Sequence, residues 1–138
     1  MNDLDELFQA AAAARRNAYA PYSGFSVGAA VRGASGAIYS GANVENASYP
    51  VGICAEAAAI AAMVAAGGRR IAALLVVGEG EALVMPCGAC RQRIVEFADD
   101  EAIVAVAGPA GVRASFSAGA LLPEAFGGRN VQAKARPI

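Results

Sequence analysis

The chain has 138 residues, three cysteines, no histidine and a formal net charge of −1. That length suits about one domain with a real core, and the missing histidine excludes a Ser-His-Asp triad, a Cys-His pair and a His-x-x-x-His zinc helix. Any proton transfer falls to a carboxylate, Lys, Tyr, Cys or water, and any zinc to thiolates and carboxylates.

Residues 3–17 carry Leu4, Leu7, Phe8 and Ala11 at helical spacing behind an acidic first turn, which predicts an amphipathic helix. Tyr19-Ala20-Pro21-Tyr22-Ser23-Gly24 breaks it and opens an irregular loop. Residues 26–32 and 37–43 read as two strands of a hairpin turned by Gly33-Ala34-Ser35-Gly36. A polar loop from Glu45 to Gly52 follows, longer than a plain connection needs. Residues 54–66 are an alanine-rich buried helix that stops at Gly67-Gly68. The apolar run 71–78 suits a central strand covered on both faces. Residues 87–98 read as a helix, 103–107 and 112–117 as strands, 118–122 as a short helix, and 128–138 as a weakly ordered tail. The order α-β-β-α-β-α-β-β-α predicts one α/β domain over 1–138, a three-layer α/β/α sandwich around a mixed five-stranded sheet.

Partners follow from the same composition. Hydrophobic residues make up 57% of the chain and charged ones 17%, against about 25% charged in an ordinary globular chain. So small a polar fraction leaves apolar surface to be covered between subunits, although 36 alanines soften the point. The ten arginines are scattered and Lys134 is the single lysine, so no basic stripe invites nucleic acid. The acidic start lacks a signal-peptide core, and the longest apolar run, 57–66, is too short to span a bilayer. The expectation is a cytoplasmic protein without a membrane partner, its cysteines thiols or metal ligands rather than disulfides.

The cysteines fall at two predicted helix starts. One is Cys54-Ala55-Glu56, the other Pro86-Cys87-Gly88-Ala89-Cys90. A C-x-x-C at a helix start puts two sulfurs one turn apart, and a third from a neighbouring helix completes a triangle. Helix N-termini favour thiolates there. Structural zinc is normally closed by four Cys or His ligands. Three cysteines leave the fourth position to water, the catalytic arrangement, unless a carboxylate or another subunit closes it. Glu56 is the only charged residue between Glu45 and Arg69. It is either a first-turn glutamate held by the helix dipole or a general base beside a metal. The C-x-x-C alone fits a thioredoxin-like redox motif equally well, but that reading leaves Cys54 and Glu56 unexplained.

Together these segments are similar to the signature of the zinc nucleobase deaminases. Residues 22–29, Tyr-Ser-Gly-Phe-Ser-Val-Gly-Ala, resemble the start of that family's first strand. Residues 43–49, Asn-Val-Glu-Asn-Ala-Ser-Tyr, resemble its nucleoside-ribose loop, and Leu121-Leu122-Pro123-Glu124-Ala125-Phe126 its C-terminal segment. The resemblance covers about residues 15–127 and is to the small, homotetrameric cytidine deaminases. It implies one zinc per subunit on Cys54, Cys87 and Cys90, with Glu56 as proton shuttle. It implies Asn43 and Glu45 on the ribose hydroxyls, Ala55 among the substrate contacts and Phe25 against the pyrimidine. Tyr49 and Phe126 would line a neighbouring subunit's site. The implied reaction is hydrolytic deamination of cytidine and 2′-deoxycytidine in pyrimidine salvage. The rivals are a related aminohydrolase such as a blasticidin S deaminase, against which the Asn43-x-Glu45 pair argues, and a redox or structural zinc protein. One departure stands out. Many family members carry arginine directly after the catalytic glutamate, and here that residue is Ala57. Arg91 and the two helix N-termini are then expected to offset the charge of three thiolates.

Overall fold

The computed structural model describes residues 3–131. Helix α1 (Asp3–Arg15) opens on Asp3, Asp5 and Glu6 and closes on Arg15, charges that match the helix dipole at both ends. Strands β1 (Gly28–Gly33) and β2 (Ile38–Ala42) form the hairpin. Then come α2 (Ala55–Ala65), β3 (Ile71–Val77), α3 (Gly88–Phe97), β4 (Ala98–Gly108), β5 (Gly111–Ser117) and α4 (Ala118–Leu121). The strand order is β2-β1-β3-β4-β5, with β3 and β4 parallel and every other pair antiparallel. The parallel pair is joined through α3, as a crossover requires. The three-layer α/β/α architecture expected of the sequence is therefore present.

Two cores flank the sheet. On one face α1 buries Leu7 and Ala11 against Ala30, Leu75, Val77, Ala105 and Ala107. On the other, α2, α3 and α4 pack Ala59, Met63, Ile94 and Leu121 over Val31, Leu74 and Val104. Alternate residues of β3 thus serve opposite cores, which is why its sequence reads as an unbroken apolar run. Two glycines let the layers approach. A Cβ on Gly28 would lie 2.0 Å from the Ala11 carbonyl oxygen, and one on Gly41 would lie 2.6 Å from the backbone nitrogen of Ala59. Gly28 therefore seats α1, and Gly41 seats α2.

The differences from the sequence reading are local. Cys54 and Cys87 are the caps before α2 and α3 rather than their first helical residues. Strand β4 begins at Ala98, well before the expected 103. Its register shifts there, since Ile71 pairs with Ala98 but Ala73 with Ile103. The intervening Asp99, Asp100 and Glu101 are exposed, so no apolar alternation marks them. Tyr49–Val51 forms a single 3-10 turn inside the polar loop. Of the expected tail 128–138, Gly128–Val131 is a 3-10 turn and 132–138 lie outside the described residues.

Candidate active site

The loops between these elements bring the two helix starts together. Cys54 ends the polar loop, which is pinned by bridges from Val44 to Tyr19 and to Ile53. Cys87 ends the loop that leaves β3. Both have extended backbone, so each side chain projects from its helix start. Cys90 follows Cys87 by one turn and lies on the same side of α3. The three Sγ atoms lie within 4.8 Å of one another, the one such His/Cys/Asp/Glu group among the described residues. Tetrahedral zinc with Zn–S bonds of about 2.3 Å sets sulfurs about 3.8 Å apart, a spacing that this triangle can accommodate. The chain has no fourth cysteine and no histidine to complete it. Three soft donors and an open side fit catalytic zinc.

The free thiols differ sharply. The Cys87 side chain makes no capping hydrogen bond, yet the first-turn N–H of Cys90 holds its thiol below the ordinary 9.0. That is the helix-start effect expected of the motif. Burial pushes the Cys90 thiol well up, and the charges of Glu56, Cys54 and Cys87 add to it. Burial likewise raises Cys54. Glu56, in the first turn of α2, is 5% exposed and is the buried charged residue of the core. Burial raises its carboxyl, while its own backbone N–H and the Arg93 charge pull the other way. An exposed helix-start glutamate would not behave so. Ala55 beside it is fully buried.

A cleft of about 500 Å³ leads to this cluster, lined by Tyr22, Ser23, Asn43, Glu45, Tyr49 and Cys54 among others. Asn43 and Glu45 are already at work on the wall. Asn43 accepts the Val27 N–H through Oδ1 (2.9 Å) and donates through Nδ2 to the Phe25 carbonyl (2.8 Å). Glu45 Oε1 accepts the N–H groups of Tyr22 and Ser23, both at 3.0 Å, and Oε2 accepts the Ser23 hydroxyl. Beyond these bonds Asn43 keeps one N–H and one lone pair, and Glu45 one lone-pair site. Tyr49 is 75% exposed and meets Tyr22 edge-on at 5.9 Å. Phe25 and Phe126 are not among the lining residues of that cleft, and both rings are substantially exposed. The Phe126 carbonyl is held by Gln92 of α3 at 2.8 Å.

The two arginines after Cys90 divide differently from expectation. Arg91 donates Nε to the Pro86 carbonyl (2.8 Å) and Nη1 to the Leu121 carbonyl (3.0 Å), tying the start of α3 to the C-terminal segment. The guanidinium at a cysteine sulfur is that of Arg93, whose Nη1 lies 3.6 Å from Cys90 Sγ. Sequence reasoning missed Arg93. Its signal was the spacing of three from Cys90, which puts both on one helix face.

Comparison with known proteins agrees with this geometry. The family described as "Cytidine and deoxycytidylate deaminase zinc-binding region" matches residues 1–106. A cytidine deaminase of Sporosarcina psychrophila is 42% identical over 124 residues, covering 90% of this chain and 91% of that protein. One from Mycobacterium tuberculosis strain H37Rv is 42% identical over 114 residues, covering 83% and 82%. The crystal structure of cytidine deaminase from Burkholderia pseudomallei superposes with a TM-score of 0.84 at 46% identity, covering 91% of this chain and 100% of that one. A sulfur triangle at two helix starts, a buried glutamate beside it and this degree of likeness place the chain in the cytidine and deoxycytidylate deaminase family.

Proposed function

We propose that the chain hydrolyses cytidine and 2′-deoxycytidine to uridine, 2′-deoxyuridine and ammonia, with one zinc per subunit on Cys54, Cys87 and Cys90. The observation that carries this reading is the three-sulfur cluster with buried Glu56 two residues after one of its ligands. When bound, zinc supplies the Lewis acidity that makes water a nucleophile near neutral pH. Glu56 then has the proton work to itself. The water oxygen bonds to C4 of the base, and Glu56 takes the released proton and hands it to N3. As the C4–N bond breaks, Glu56 passes the remaining hydroxyl proton to the departing amine, which leaves as ammonia. Water enters, ammonia leaves, and the carboxylate ends as it began.

The cleft wall orients the nucleoside. The remaining N–H of Asn43 and the remaining lone pairs of Asn43 and Glu45 suit the ribose hydroxyls, and their backbone bonds fix them before substrate arrives. A carboxylate at that point repels phosphate, which favours a free nucleoside over a nucleotide or polynucleotide. Phe25 packs against the pyrimidine, and Ala55 borders the base. The exposed rings of Tyr49 and Phe126 are surfaces for a second copy, so that each site is finished by a neighbour in a homotetramer. A cytoplasmic setting for pyrimidine salvage suits three free thiols.

The test is cytidine turnover, followed at the ultraviolet band of cytosine, together with zinc content per chain. One zinc per chain, activity lost to a chelator and activity restored by zinc are expected. A fully zinc-loaded protein that leaves cytidine untouched would overturn the proposal.

A further inference from the structure

We infer that Arg93 is a positioning residue that offsets the negative charge of the cysteine cluster, reaching it from α3 through space that Ala57 leaves open. The inference rests on the zinc reading above. Zinc(II) with three thiolates carries one net negative charge, and a cation donating to one sulfur stabilises that state.

Three observations meet at Arg93. Its Nη1 lies 3.6 Å from Cys90 Sγ, on the fully buried member of the triangle. A long side chain on a helix leans back over the preceding turn, so a residue three positions after Cys90 is aimed at its sulfur. Finally, Ala57 and Arg93 line the same gap between α2 and α3, with Ile60, Gln92 and Phe97 along it. Arg93 is the one cation on that gap, and Glu96, one turn further along α3, is its other charged residue. A methyl at position 57 leaves room for the Arg93 side chain, and a long residue there would compete for it. Arg91, nearer Cys90 in sequence, is engaged by two backbone carbonyls.

The experiment measures the zinc dissociation constant by chelator competition. Its arms are the wild type, Arg93→Gln, Arg93→Lys and the double variant Ala57→Arg with Arg93→Gln, each checked for an intact fold by its zinc-saturated melting curve. Loss of an outer-shell partner weakens metal binding by about tenfold or more, so Arg93→Gln should lose about tenfold. Recovery in either Arg93→Lys or the relocated arginine supports a charge role, because neither restores the Arg93 packing. Wild-type affinity in Arg93→Gln, or a loss that neither arm recovers, would overturn the inference. Failure of the zinc reading is seen separately, in a wild-type chain that binds no zinc, and takes this inference with it.

Discussion

The sulfur cluster and the cleft in front of it share the stretch 43–56, yet one is closed within the chain and the other is not. At the cluster, Cys90 and Glu56 are buried and Arg93 reaches a sulfur, all on two packed helices. At the cleft, Tyr49 holds most of its surface in water, as does Phe126 outside the lining, and the wall is a loop pinned by side-chain bonds. The proposed reacting centre is thus part of the core, whereas the proposed substrate contacts lie on a loop and on exposed rings. Changes at the centre should abolish chemistry with binding intact, and changes at the cleft should do the reverse.

The largest effect expected is at Glu56. Glu56→Gln keeps the shape and removes the group that carries protons, so kcat should fall by about 10²–10⁴-fold. Zinc content should stay at one per chain. A variant retaining more than a tenth of wild-type turnover would remove Glu56 from the chemistry. One that lost its zinc would show that the closed centre depends on the charge itself.

An aromatic of the open region should behave otherwise. Phe126→Ala should lower kcat/KM by about tenfold, within the range of a truncated interface aromatic. It should also shift the sedimentation profile toward smaller species while leaving zinc content unchanged. If activity and assembly both survived, the proposal that neighbours finish each site would fail, and the contrast between closed centre and open cleft would lose half its content.

The two regions were also unequally legible in the sequence. The centre was readable because its signals are local. Cys54, Cys87 and Cys90 sit at helix starts that alanine and glycine patterns announce, and Glu56 stands alone in an apolar stretch. The strand at 71–77 was readable because both its faces are buried. Other features depend on contacts far apart in the chain. The early start of β4 was hidden because Asp99, Asp100 and Glu101 face water, with Asp99 paired to Arg70 where β3 and β4 begin. The backbone bonds of Asn43 and Glu45 span 16 to 23 residues and leave no mark in local pattern. Arg93 looks like any surface helix position until α2 is packed beside it, with alanine at 57.

Packing itself tests how far the closed centre depends on the fold. A Cβ at Gly41 would fall 2.6 Å from Ala58 Cβ and Ala59 N, on the helix that presents Cys54 and Glu56. Gly41→Ala should lower stability by about 1–3 kcal/mol, as overpacking does, read as a lowered denaturant midpoint. Zinc retention should fall with it, because α2 must move. Gly28→Ala, on the opposite face beneath α1, should destabilise comparably and spare zinc affinity in the protein that remains folded. Equal effects on zinc from both would mean that the centre responds to global stability rather than to the seat of α2.

The smallest effect expected is at the cleft wall, and its sign is fixed by Glu45. The Ser23 hydroxyl holds this carboxyl below the ordinary 4.5, followed by the Ser23 N–H, partly opposed by desolvation and helped by the Tyr22 N–H. A carboxyl depressed in the folded state contributes a tether that is fully present above the unfolded value and lost as pH falls through the folded one. The 19–25 loop should therefore be anchored at neutral pH and loosen only in acid. Amide resonances of Tyr22 and Ser23 should titrate together with a midpoint below 4.5, and Glu45→Gln should abolish the transition. The zinc centre should not follow it at that pH, since the Val44–Ile53 bridge between the two regions is made of backbone bonds that do not titrate. A midpoint at or above 4.5 would mean that Glu45 is not held by Ser23 in solution, and the wall proposed to orient the sugar would then have to form with the substrate.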